Sequence, residues 1–222
     1  MKKRELSALL EKSGKRYSDI LDITVDRRDD AEIFKWFLAG VLFGAPITES
    51  SVVKTYRCFE KRRVLTPKKI VQAGWNRLVE ILDEGSYTRY DYKTADKLVL
   101  VMNNLLKMYN GNLNKLHSEA ADSTDLEKRL KELGKGIGSI TVSIFLRELR
   151  GVWSKADPKP TPHVVSAAKS LGIIKNETPE KALVELKNFW KRNSLRNKSF
   201  VNFETALLRW NKDQRRKKKS QK

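Results

Sequence analysis

The chain has 222 residues, 40% of them hydrophobic and 33% charged, with a formal net charge of +19. That length buries a sizeable core in one domain or two small ones, and so large an excess of cations repels itself in a compact fold unless a polyanion offsets it. The single cysteine, Cys58, excludes a disulfide framework, a cysteine-held zinc ion and a four-cysteine iron–sulfur cluster, and it fits a reducing, cytoplasmic setting.

The charge is unevenly placed. Residues 1–54 carry ten Lys and Arg against nine Asp and Glu, whereas residues 175–222 carry fifteen against five. No apolar run approaches membrane-spanning length, and the start Met1-Lys2-Lys3-Arg4-Glu5 is followed by no signal-peptide core, so no membrane partner is expected.

Helical periodicity dominates from end to end, and no alternating strand pattern is present. Residues 4–13 read as a charged amphipathic helix. A polar lead-in at 26–30 opens a strongly apolar helix over 32–43, stopped by Gly44 and Pro46. A helix over 49–61 follows, with Cys58 as a structural thiol on it. Thr66-Pro67 is an N-cap with proline at the first helical position, opening a helix to Ala73, and another runs from Trp75 to Asp83. After the turn Ser86-Tyr87-Thr88-Arg89-Tyr90-Asp91 a long helix covers 93–108 and ends at Asn110-Gly111.

Helices over 124–133 and 139–150 flank a glycine turn. Asp157-Pro158-Lys159-Pro160 is a rigid loop, and Thr161-Pro162 caps a helix that stops at Leu171-Gly172. Thr178-Pro179 starts the next, through Trp190, and residues 202–210 form the last. About ten short helices result, with Trp36, Trp75, Trp153, Trp190 and Trp210 at apolar, core positions. Residues 212–222 have no apolar face and read as a disordered basic tail attracted to nucleic acid.

The glycine turn is the stretch with chemistry in it: Leu133-Gly134-Lys135-Gly136-Ile137-Gly138-Ser139-Ile140-Thr141. A helix that stops at glycines, turns tightly and starts again leaves consecutive N–H groups pointing outward, with no Cβ to block a phosphate. The first turn of the new helix adds its own unpaired N–H groups and its positive dipole end. A plain helix–helix turn would also use glycines. Upstream, Tyr87, Arg89, Tyr90 and Tyr92 interleave aromatic and basic groups, a combination suited to stacking and phosphate contact or to ordinary packing.

In this order the signals resemble the helix-hairpin-helix (HhH-GPD) DNA glycosylases, the endonuclease III superfamily. The resemblance rests on Ile33-Phe34-Lys35-Trp36-Phe37-Leu38-Ala39-Gly40-Val41-Leu42, on residues 85–95, on Tyr109-Asn110-Gly111-Asn112-Leu113, on the glycine turn as the hairpin, and on Val201-Asn202-Phe203-Glu204-Thr205-Ala206-Leu207-Leu208 as the closing helix. It implies an all-α, two-lobed fold with the substrate cleft between the lobes, where a base flipped from duplex DNA is held. Residues 55–150 would form a six-helix lobe carrying the hairpin at 130–150. Residues 30–54 with 151–211 would form the other lobe, and residues 1–29 an N-terminal helical extension.

The resemblance further implies that Lys135, Gly136, Ile137, Gly138, Ser139 and Thr141 grip a DNA phosphate. It implies a K+ or Na+ ion on the carbonyls of Leu133, Lys135 and Ile137, and a monomer in solution. Arg89 and Tyr90 are the residues of the upstream turn expected to face DNA. The family cleaves the bond between base and sugar with a carboxylate, and members that also cut the backbone add a lysine. The lysine's position is Ile140 here, so a monofunctional enzyme is expected. The family's carboxylate position falls on Thr161-Pro162-His163, and Asp157, a few residues early, is the candidate; its other reading is a turn residue before Pro158. His163, next to the expected pocket, suits a surface or phosphate-contacting role. Pro46 stands where some members place a wedging glutamine.

Three readings follow. The first is a base-excision glycosylase that removes a damaged or mismatched base. The second is a DNA-binding protein that kept the fold and lost the chemistry, and the third a basic RNA-binding protein, resting on charge alone.

Overall fold

A computed structural model describes residues 1–220. The described residues form twelve α-helices and no β-strand. They divide into two compact units: Met1–Tyr17 with the chain from Pro158 onward, and Ser18–Asp157. The division differs from the lobes drawn on the sequence, because residues 30–54 group with the middle of the chain.

The N-terminal element is α1 (Lys3–Ser13), and α2 (Tyr17–Ile20) carries the junction at residues 17 and 18. In the larger unit α3 (Asp30–Phe43) is the central helix. Asp29 caps it by accepting from the N–H groups of Ala31 and Glu32. Ile33, Phe34 and Trp36 through Leu42 are all buried, and a helix apolar on every face must lie inside the fold. Around it stand α4 (Glu49–Lys61), α5 (Pro67–Glu84), α6 (Asp91–Tyr109), α7 (Leu113–Glu119), α8 (Ser123–Glu132) and α9 (Ser139–Glu148).

Gly40 lets α3 approach α9 closely: a Cβ there would lie 3.5 Å from that of Phe145. Across this contact Trp36 Nε1 donates to Phe145 O at 3.0 Å, and the Phe37 and Phe145 rings meet edge-on at 5.2 Å. The end of α3 is closed from outside, where the buried Tyr87 hydroxyl donates to Leu42 O at 2.6 Å.

The break expected at Gly74 is present. Its φ of +71° and ψ of 170° kink α5, so that the stretches before and after it are two helices meeting at the glycine. Asn110 (φ 55°) and Gly111 (φ 77°) end α6 in the left-handed region. The helix α7, capped by Asn112, was not expected from the sequence.

The smaller unit packs α1 with α10 (Pro162–Ser170), α11 (Pro179–Asn193) and α12 (Phe200–Ser220). Phe203 of α12 is fully buried, with the rings of Phe189 and Trp190 stacked on it at 5.5 Å. Asn202 Nδ2 donates to Gly14 O at 2.8 Å and Arg209 to Ser13 O at 3.0 Å, which closes the C-terminus of α1.

Two expectations are corrected. Residues 212–220 are helical, continuing α12, because Lys, Arg and Gln are good helix formers and no glycine or proline interrupts them; residues 221–222 of the expected tail lie outside the described residues. Of the five tryptophans, Trp36 and Trp153 are buried, and Trp190 and Trp210 half-buried. Trp75 is 39% exposed: its indole nitrogen donates to Asp96 at 2.8 Å and its ring lies against Tyr92, so a polar partner at the surface holds it there.

Candidate nucleic-acid interface

The turn between α8 and α9 is built by its backbone. Gly134 N bonds to Lys131 O at 3.3 Å, ending α8. Gly136 sits at φ +97°, a conformation that side chains disfavour, and a Cβ there would stand 2.6 Å from Lys97 Cε. Ile137 N closes the turn on Gly134 O at 3.1 Å, while its side chain points into the core. Gly138 is extended (φ −95°, ψ 179°) at the N-cap of α9, and nothing lies within 4 Å of a Cβ placed on it.

The consequence is a row of bare donors. Among the described residues, the amides of Lys135, Gly136, Gly138, Ser139, Ile140 and Thr141 have no acceptor. Lys135, Gly136, Gly138 and Ser139 are also exposed. Unpaired N–H groups at a helix N-terminus attract an anion.

Side chains divide around this row. Thr141, expected to meet phosphate, is 3% exposed, with its Oγ1 against Gly44, so only its amide remains for that purpose. Ile140 is 66% exposed at the start of α9. Lys97 of α6, which the sequence did not single out, lays its methylenes over Gly136, and burial pulls its pKa below the usual lysine value. No carboxylate partners it among the described residues. A second group from α6, Asn104 Nδ2, donates to Leu133 O at 2.9 Å, so one of the three carbonyls expected to hold K+ or Na+ already has a donor.

The remaining expected residues stand on other elements. Arg89 is exposed, with its guanidinium 5.6 Å from the ring centre of half-buried Tyr90 at the start of α6. Pro46 is exposed in the turn between α3 and α4. Asp157 ends the larger unit with its side chain 45% exposed, ion-paired with Arg150, whose own side chain is 7% exposed. In the smaller unit His163 stands in the first turn of α10, its Nδ1 3.1 Å from Asn211 Oδ1.

No family model matches the chain, and no curated protein does. Among solved structures, the 3-methyladenine DNA glycosylase MagIII of H. pylori, bound to 1,N6-ethenoadenine, aligns over 97% of this chain and 97% of its own, with a TM-score of 0.57 and 16% identity. The two chains share a fold. The all-α, helix-hairpin-helix glycosylase-like architecture read from the sequence is therefore the one observed, and at this identity the likeness extends to the fold alone. No described helix is long and apolar enough to cross a membrane.

Proposed function

We propose that this protein is a base-excision DNA glycosylase, which binds duplex DNA through the α8–α9 hairpin and hydrolyses the N-glycosidic bond of a damaged or mismatched base. The row of bare hairpin amides carries the reading. The net charge of +19 and the fold shared with a glycosylase bound to 1,N6-ethenoadenine support it. Ile140 has no nucleophile to offer, which favours hydrolysis without strand cleavage. Asp157 is the carboxylate proposed to stabilise the developing sugar cation. A K+ or Na+ ion on the carbonyls of Lys135 and Ile137, sharing Leu133 with Asn104, is compatible with this arrangement.

The test is release of free base from duplexes carrying 1,N6-ethenoadenine, alkylated purines, hypoxanthine, uracil or oxidised purines. Release of at least one, without strand scission, is the expected result. One observation favours a second reading, a DNA-binding protein without chemistry: the Asp157 carboxylate is engaged by the Arg150 guanidinium. Tight duplex binding with no base released from any substrate selects it.

A further inference from the structure

The groove between α10 and α12 is a second place with chemistry in it. It encloses about 500 Å³ and is lined by His163 and Ser166 from α10, and by Trp210, Asn211, Arg215 and Lys218 from α12, among others. That volume lies within the range of small-ligand sites. No lining residue is acidic. The nearby carboxylate of α12, Asp213, lines the opposite groove beside α1, together with Lys12 and Arg216.

Arg215 stands on a buried anchor. Asn211 is 6% exposed, and its Nδ2 donates to Ser166 Oγ at 3.1 Å while its Oδ1 faces His163 Nδ1. On the outer side Arg215 Nη1 lies 3.3 and 3.5 Å from the two ring nitrogens, so the guanidinium rests against the imidazole. A chain of contacts thus runs from a buried amide, through an imidazole, to a guanidinium at the surface. Lys218 follows Arg215 by three residues, so the two cations share one face of α12. Among the described residues no carboxylate balances either cation in the groove, and the planar fork of Arg suits the oxygens of a phosphate.

We infer that this groove binds a phosphate group of a polynucleotide strand, as a site separate from the hairpin, with Arg215 and Lys218 supplying charge and Asn211 and His163 positioning Arg215. The half-buried Trp210 lines the same groove and offers a face to the sugar or base that the phosphate carries. The inference rests on the proposed function only for the source of the phosphate.

The chain contains two histidines, His117 in the other unit and His163 in the groove, so imidazole carbon–proton correlation spectra of this chain report on the groove directly. Titration with inorganic phosphate, then with a short undamaged duplex, is expected to shift the His163 signal and leave His117 in place. Arg215→Gln should abolish the phosphate-induced shift. In the double variant Arg215→Gln, Lys218→Gln, the salt dependence of duplex binding should flatten by about 0.9 in log–log slope, with affinity about tenfold lower at 0.1 M salt. An unmoved His163 signal in both titrations overturns the inference. A shift with inorganic phosphate but not with duplex overturns the polynucleotide source. Hairpin amide shifts report separately on the proposed function: if the duplex moves them and leaves His163 still, the groove inference fails alone, and if it moves neither, both fail.

Discussion

Lys97 lies over Gly136 so closely that a single added methyl would meet its ε-carbon at 2.6 Å. The glycine thus serves two purposes, a positive φ and room for a lysine stem, and the stem brings a half-buried ammonium to the edge of the bare hairpin amides. A phosphate arriving there would meet fixed amide dipoles and one charge from a different helix.

Two substitutions separate these purposes. Gly136→Ala combines a strained φ with displacement of Lys97 and should lower unfolding stability by about 1–2 kcal/mol, read by urea denaturation. Lys97→Met keeps the stem and removes the charge. It should leave stability within about 0.5 kcal/mol and flatten the salt dependence of duplex binding by about 0.9 in log–log slope. An unchanged slope in Lys97→Met removes the ammonium from the interface.

Legibility followed the range of the signal. The kink at Gly74, the stop at Asn110-Gly111 and the hairpin were readable because glycine or asparagine marks a backbone conformation locally. The helix α7 was not, because it is seven residues long and begins two residues after the stop of α6, so its Asn112 cap passes for part of a turn. Asn104 and Lys97 reach the hairpin from a helix about thirty to forty residues earlier, and His163 meets Asn211 across 48 residues. Such pairings are set by tertiary packing and leave no periodic trace. The C-terminal basic run misled in the other direction: it lacks an apolar face yet continues a helix already nucleated by the buried residues around Phe203.

Asp157→Asn tests the chemistry. The carboxylate is almost half exposed but its partner Arg150 is buried, so the substitution, which leaves only a neutral amide oxygen to accept from the guanidinium, should cost about 1–3 kcal/mol of stability. If Asp157 stabilises the sugar cation, single-turnover base release should fall by about 100-fold or more with duplex affinity unchanged. Full activity in the variant transfers the role to another group.

Tyr87→Phe addresses the support beneath the site. The phenol is fully buried and its hydroxyl closes the last turn of α3, while burial pushes its pKa well above the usual tyrosine value. Losing the hydroxyl leaves Leu42 O without that donor in the interior and should lower stability by about 1–2 kcal/mol. Because α3 packs on α9, the helix that begins at Gly138, hydrogen exchange of the amides of α9 is the complementary measurement, and faster exchange there is expected.

His117 makes stability depend on acid. Its ring is 4% exposed and stacked on Trp153 at 4.7 Å, and neither ring nitrogen has a hydrogen-bond partner among the described residues. Burial, with smaller contributions from the Lys155 and Arg28 charges, pushes its pKa down to about 4. The unfolded chain binds this proton at an ordinary histidine pH, near 6.5, and the folded chain resists it. Stability is therefore complete above that range and falls as the pH drops from about 6.5 toward 4, by up to about 3 kcal/mol. The carboxylates held low by partners, Glu84 and Asp125 among them, lose their contributions at lower pH and in every variant alike. His117→Phe keeps a ring on Trp153 and removes two unpaired polar atoms, so it should be neutral or stabilising at pH 7. The difference in unfolding free energy between variant and parent should widen steadily from pH 6.5 to pH 4.5, and a constant difference over that interval would show that His117 takes up its proton as readily in the folded protein as in the unfolded one.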